Sequence, residues 1–350
     1  RSMANRALAA DLLGRLAIRR HDYAVATDYA AKSAEAGESY VRFNPSDLNS
    51  WVYWVRGLDQ QASVLLEQGR IDDAVAGYRK LVALDRDARK PASLAPLLWN
   101  NWGQLTINES RAGRFDAARR THLVAAAAAK ETGSLEKPGS ARQALFDMYA
   151  DALQARLDLD QGNNQAAFDQ AAQLATRMRA LEFSQDETGG NIRDASAVRA
   201  NFLRNTLATL TLAALRTGRY GEAEAAARER AALPPNPFSE LDPQDERSRA
   251  QVTLAHALLL QGRTDEARAI TEVEIPRYRA ELKAGAGGLA FAKDFSYALY
   301  VDALARPVSD PRRNAYLAEA LRQLDGMGDE VNRLVDIREL RNRIGAAGSG

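Results

Sequence analysis

Leu65–Leu84 reads LLEQGRIDDAVAGYRKLVAL: an apolar helical pattern, a Gly-Arg turn at Gly69, then a second helix with small residues on the face that meets the first. The pattern recurs at Gly113 (GRFDAARR), Gly218 (GRYGEAEAAAR) and Gly262 (GRTDEARAI), with weaker copies at His21 (HDYAVATDYA) and Gly162 (GNNQAAFDQA). Each copy predicts a helical hairpin. Glycine ends one helix, an acidic or polar residue caps the next, and an alanine lets the pair close. Such a unit cannot bury its apolar face alone, so repeated copies imply stacking into a solenoid.

Working outward, apolar residues at helical spacing predict hairpins over 4–36, 51–85, 97–132, 141–181, 195–232 and 244–282, and a degenerate pair over 289–324. In the first, Leu8, Leu12, Leu13 and Leu16 form an apolar stripe. Gly37–Ser50 breaks the pattern, with Asp47 or Asn49 starting the next helix. The turn at Gly162 reads as one residue longer than the rest, because the Leu153/Leu157 stripe is out of step. Phe183–Asp194 and the proline-rich Leu233–Pro243 read as connections, and Pro276 as a kink or early stop. A last arginine-rich helix, 331–344, reads as a solvated cap, followed by a flexible tail at 346–350. The whole forms one array over 1–345. No stretch alternates as a strand does.

Composition narrows the function. Lys and Arg number 47, seven of them lysine, against 46 Asp and Glu, a net charge of +1. That balance gives no support to general polyanion binding, so no direct nucleic-acid role is expected. Arginines spaced three or four residues from acids read as surface ion pairs. The absence of cysteine excludes disulfides and thiolate chemistry and leaves the redox compartment open. No apolar run reaches the ~18 residues of a membrane span.

Aligned on Gly69, Gly113, Gly218 and Gly262, the hairpins place alanines at Ala74, Ala118, Ala223 and Ala267. Bulky residues stand two after the glycine at Ile71, Phe115 and Tyr220, and first-helix pairs fall at Leu105-Thr106, Leu210-Thr211 and Leu254-Ala255. In these positions the chain resembles the tetratricopeptide repeat. The period departs from it: turns at 21, 69, 113, 162, 218 and 262 are 48, 44, 49, 56 and 44 residues apart, against about 34 in that family. The resemblance implies a right-handed, all-α superhelix that binds a protein or peptide on its concave face. It is similar to arrays attached to bacterial serine/threonine kinases, nucleotide cyclases and winged-helix regulators. An alternative is therefore a domain that senses a ligand or signal peptide and controls such an effector. No activity is expected in this chain itself.

Projecting the turn register onto the first helices puts Arg56, Asn100, Met148, Asn205 and Arg249 in one column, Asp59, Gln104, Asp151, Thr209 and Val252 one turn on, and Ser63, Ile107, Ala155, Leu212 and His256 a turn further. Arg56, Asp59, Asn100, Gln104, Asp151, Asn205, Thr209 and Arg249 are the expected partner contacts, able to grip a peptide backbone or carboxylate. A solvated helix face would look the same. The lysine/asparagine carboxylate clamp of some tetratricopeptide proteins is not reproduced. Trp51/Trp54 and Trp99/Trp102 read as packing between hairpins rather than a ligand pocket. His21, His122 and His256 lack metal spacing, and the glycines of Ala284–Gly288 follow no strand. No metal or cofactor is expected, and a small-molecule ligand is the lesser reading.

Overall fold

The computed structural model describes residues 2–91, 93–94, 98–184, 195–235 and 243–348. These form α1 (Ser2–Arg19), α2 (Tyr23–Phe43), α3 (Leu48–Glu67), α4 (Ile71–Ala83), α5 (Trp99–Arg111), α6 (Phe115–Ser134), α7 (Ala141–Asp160), α8 (Asn164–Arg179), α9 (Ala195–Arg216), α10 (Tyr220–Ala232), α11 (Pro243–Leu260), α12 (Thr264–Lys283), α13 (Leu289–Leu304), α14 (Pro311–Asp325) and α15 (Val335–Gly348). No strand occurs among the described residues. Seven hairpins, α1/α2 to α13/α14, follow one another as an all-α solenoid, and α15 stands alone. Most of the connections expected at Phe183–Asp194 and Leu233–Pro243 lie outside the described residues.

One turn joins the first six hairpins. Its middle residue has positive φ at His21 (56°), Gly69 (77°), Gly113 (74°), Gly162 (84°), Gly218 (76°) and Gly262 (80°). The next N–H reaches back to the carbonyl of the residue five earlier, as in Arg70 to Leu65, Arg114 to Glu109, Asn163 to Asp158, Arg219 to Ala214 and Arg263 to Leu258. This is the Schellman closure, which favours glycine because a Cβ is strained there. Gly162 conforms, so the expected extra residue does not exist. The expected side-chain cap is also missing where arginine or Asn163 follows the glycine: Arg70, Arg114, Asn163, Arg219 and Arg263 stand at the N-cap without a capping side-chain bond. First-turn acids such as Asp72, Asp116 and Asp265 face the helix dipole instead. The alanines five residues after the turn, Ala26, Ala74, Ala118, Ala167, Ala223 and Ala267, have no exposed surface, which is how paired helices approach closely.

Two further expectations are corrected, and that for Pro276 is narrowed. Gly37 does not break α2, which runs on to Phe43. A Cβ there would stand 2.5 Å from the backbone nitrogen of Trp54, and one on Gly57 would meet the backbone of Ala34, so these glycines are the crossing points of α2 and α3. Pro276 sits inside α12 without ending it. The stripe Leu8, Leu12, Leu13 and Leu16 is 37–57% exposed, whereas Ala7, Ala10, Ala17 and Ile18 are buried; α1 packs through its small face.

The array closes on itself. The end of α3 and the turn after it meet the start of α13 and the segment before α15. The Glu67 carboxylate accepts the Ala290 N–H at 3.0 Å, and Glu330 accepts the Asp72 N–H at 3.2 Å. Gly288 lies against Tyr23, and Gly69 against the Met327 carbonyl and Val331. The His21 ring meets Phe291 edge-on with centroids 5.8 Å apart. Ile71 joins the core built from α10 to α15. The accessible surface, 15855 Å², is close to the roughly 14,000 Å² of a compact protein of this mass.

Candidate functional site

Closure turns the concave face into an interior. Two adjoining cavities open there, with about 270 and 260 Å³ of solvent space. The first lies between the α1/α2 turn, α3, α4, α5, α11 and α13, and is lined by Tyr23, Ser63, Glu67, Gln104, Arg111, Arg249 and Lys293 among others. The second lies between α7, α9, α10, α11, α13 and α15. Its polar lining includes Arg156, Asn205, Arg216, Arg230, Arg249, Lys293, Asp294, Asp336, Glu339 and Arg343. Arg249 and Lys293 face both. Together the walls carry seven cations and four carboxylates.

The charges are arranged around α15, which crosses the interior rather than capping the end in water. Leu334, Ile337, Leu340 and Ile344 anchor it in the core. Its Asp336 meets Lys293 at 3.0 Å and Arg111 at 3.2 Å, and Glu339 bridges Arg216 and Arg343. The expected solvated face survives at Arg333, 67% exposed, and Arg341, which pairs with Asp325 at 2.6 Å. Burial alone would raise the Asp336 carboxyl, but Arg111, Lys293 and Arg156 outweigh it and hold the group far below the usual range. Burial lowers Lys293 despite Asp336. On Arg249 burial opposes the charge, and Asp294, at 2.6 Å, outweighs it and raises the group. Burial, helped by Arg249, brings Arg230 down to about 10, so it is still charged at neutral pH. Burial raises Glu67, against the stabilising Ala290 N–H.

Of the residues expected to touch a partner, Gln104, Asn205 and Arg249 line these cavities. The others do not. Arg56 lies 3.8 Å from the Asp11 carboxylate, Asp59 accepts from Asn101 at 3.0 Å, Asn100 is exposed, and exposed Asp151 pairs with Arg177 at 3.4 Å. Thr209 is buried, its hydroxyl donating to the Asn205 carbonyl, and Met148 is core. The cavities draw on more than one register position of the first helices: Gln104 and Arg111 on α5, and Asn205, Leu212 and Arg216 on α9. Sequence reasoning missed Arg111, Arg156, Arg216, Arg230, Lys293 and the acids of α15. One signal was present: Arg111 and Arg216 both stand two residues before a turn glycine.

The tryptophans pack as expected. Trp51 and Trp54 are buried with Tyr78 and Leu81, and Trp99 stacks edge-on against Phe146, Tyr149 and Phe202. His256 bonds the Tyr297 hydroxyl at 2.6 Å. Among the described residues no cluster of His, Asp or Glu could hold a metal, and no helix is long and apolar enough to cross a membrane. Of the glycines before α13, Gly288 serves closure, lying where a side chain would strike Tyr23 and Glu67.

Turn, buried alanine and stacked pairs define the molecule as an all-α solenoid of tetratricopeptide-like hairpins, closed around a charged interior. No family model and no curated protein sequence matches the chain. Similar solved structures include a tetratricopeptide repeat protein from Parabacteroides merdae, 12% identical over 94% of this chain and 97% of that one, with a TM-score of 0.44. Another is the tetratricopeptide domain of P58(IPK), 12% identical over 97% and 98% of the two chains, with a TM-score of 0.26.

Proposed function

We propose that this chain is a protein-interaction scaffold that recognises a partner without turnover. The observation that carries the reading is α1. Its outward face shows Leu8, Leu12, Leu13 and Leu16, which no described helix covers. A contiguous apolar stripe of this kind fits an amphipathic helix of a partner protein, packed as the next layer of the stack. The interior is a poor groove for an extended peptide, because α15 already lies across it. Leu12→Glu with Leu16→Glu tests this. The pair should abolish association with the partner in affinity capture and sedimentation, while stability changes by no more than about 0.5 kcal/mol. Undiminished capture would move the interface elsewhere.

A second reading, a ligand-sensing regulatory domain, is favoured by the charged cavities: they join hairpins from across the closed array, so an occupant would bias the whole coil.

A further inference from the structure

The second cavity holds more positive charge than its own acids balance. Asp294 is taken by Arg249, Asp336 by Lys293 and Arg111, and Glu339 by Arg216 and Arg343. Arg156 reaches Asp160 through Nε at 3.1 Å. Arg230 feels Asp294 and Glu246 only at longer range, and these are already paired with Arg249 and Arg204. Among the described residues no carboxylate lies within ion-pair distance of it, and its Nε is buried without a hydrogen bond. A guanidinium removed from bulk water and left unpaired is costly. When it faces a wet cavity beside other cations, the missing partner is an anion from solution.

We propose that the cavity between α9, α10, α11 and α15 binds a compact organic dianion, a phosphate monoester or a dicarboxylate, with Arg230 as its main contact and Arg249 and Lys293 flanking it. The planar guanidinium fork matches the paired oxygens of either group. The space, about 260 Å³, equals roughly nine waters at about 30 Å³ each. That suits a phosphate or two carboxylates on a short carbon skeleton and is too small for a folded segment. Asn205 offers an amide to a hydroxyl of the ligand, and Ala208, Leu212 and Leu340 meet its carbon atoms.

This deepens the ligand-sensing reading and is independent of the leucine stripe. The test uses the full chain with inorganic phosphate and with succinate, each against sodium chloride of equal ionic strength. Thermal unfolding and titration calorimetry supply the readouts. One or both anions should bind saturably and raise the unfolding midpoint by about 2 °C at a few times the dissociation constant. The anion that does so distinguishes phosphate from dicarboxylate chemistry. Arg230→Met, which keeps the length and removes the charge, should weaken binding by tenfold or more. Arg42→Met, at an exposed arginine paired with Glu38, should leave binding unchanged. If neither anion binds beyond the chloride control, or if R230M binds as the parent does, the site is refuted. The scaffold reading fails on a different measurement, partner capture by the Leu12 and Leu16 variants.

Discussion

His256 shows how little a residue type says without its surroundings. In the sequence it stands on a first helix at a position that a concave surface would present. In the fold it is 3% exposed, bonded to Tyr297 and edge-on to Tyr300. Burial, with Arg343 adding to it, lowers its pKa from 6.5 to about 4. Between those values the unfolded chain binds a proton that the folded one does not, so stability rises with pH across the window and falls as acid is added. His256→Gln removes that term. Urea unfolding from pH 7 down to pH 4 should show the parent losing about 3 kcal/mol relative to the variant. Parallel curves would mean that the imidazole is wetter than its contacts indicate. The same lesson covers Asn205 and Asn100: both are polar first-helix residues at one repeat position, and only Asn205 lines a cavity.

At the level of the helix, what could be read in the sequence was what local chemistry specifies. Glycine in the left-handed region with alanine five residues on is a backbone constraint that leaves a mark in every copy, and it placed the ends of α9, α10 and α12 within a residue or two. Which face of a helix is buried is a tertiary matter. The four leucines of α1 outscore its alanines by hydrophobicity, yet α2 and α3 leave room only for small residues there. Gly37, a breaker by composition, is a contact by geometry. For α15 the charges pointed to water because nothing local reveals that Arg111, Arg216 and Lys293 wait inside. Its apolar side decides the energetics. Ile337 is fully buried, so Ile337→Ala should cost about 2–5 kcal/mol in chemical unfolding, in a single transition shared with the rest of the chain. A loss below about 1 kcal/mol would make α15 a loosely attached end.

For the whole molecule, the decisive feature is that hairpins far apart in sequence cap one another. Glu67 at the end of α3 takes an N–H from the first turn of α13, and Glu330, just before α15, takes one from the first turn of α4. The N-termini of α4 and α13, whose N-cap residues Arg70 and Gly288 supply no capping side chain, are thus served from distant hairpins, and each such bond contributes about 0.5–2 kcal/mol. No repeat register could disclose this, since the partners are 223 and 258 residues apart. Two measurements follow from it. In solution scattering the chain should have a radius of gyration near about 20–22 Å, the value for a compact protein of this length, whereas an open superhelix would exceed about 25 Å. Glu67→Ala combined with Glu330→Ala should speed amide exchange at Ala290 and Asp72 by about tenfold and enlarge the radius, while the two glutamine variants, which keep an acceptor oxygen, should stay near the parent. Exchange unchanged by the alanine pair would mean that packing of Tyr23, Phe291, Ile71 and Val331 holds the ends together without these bonds.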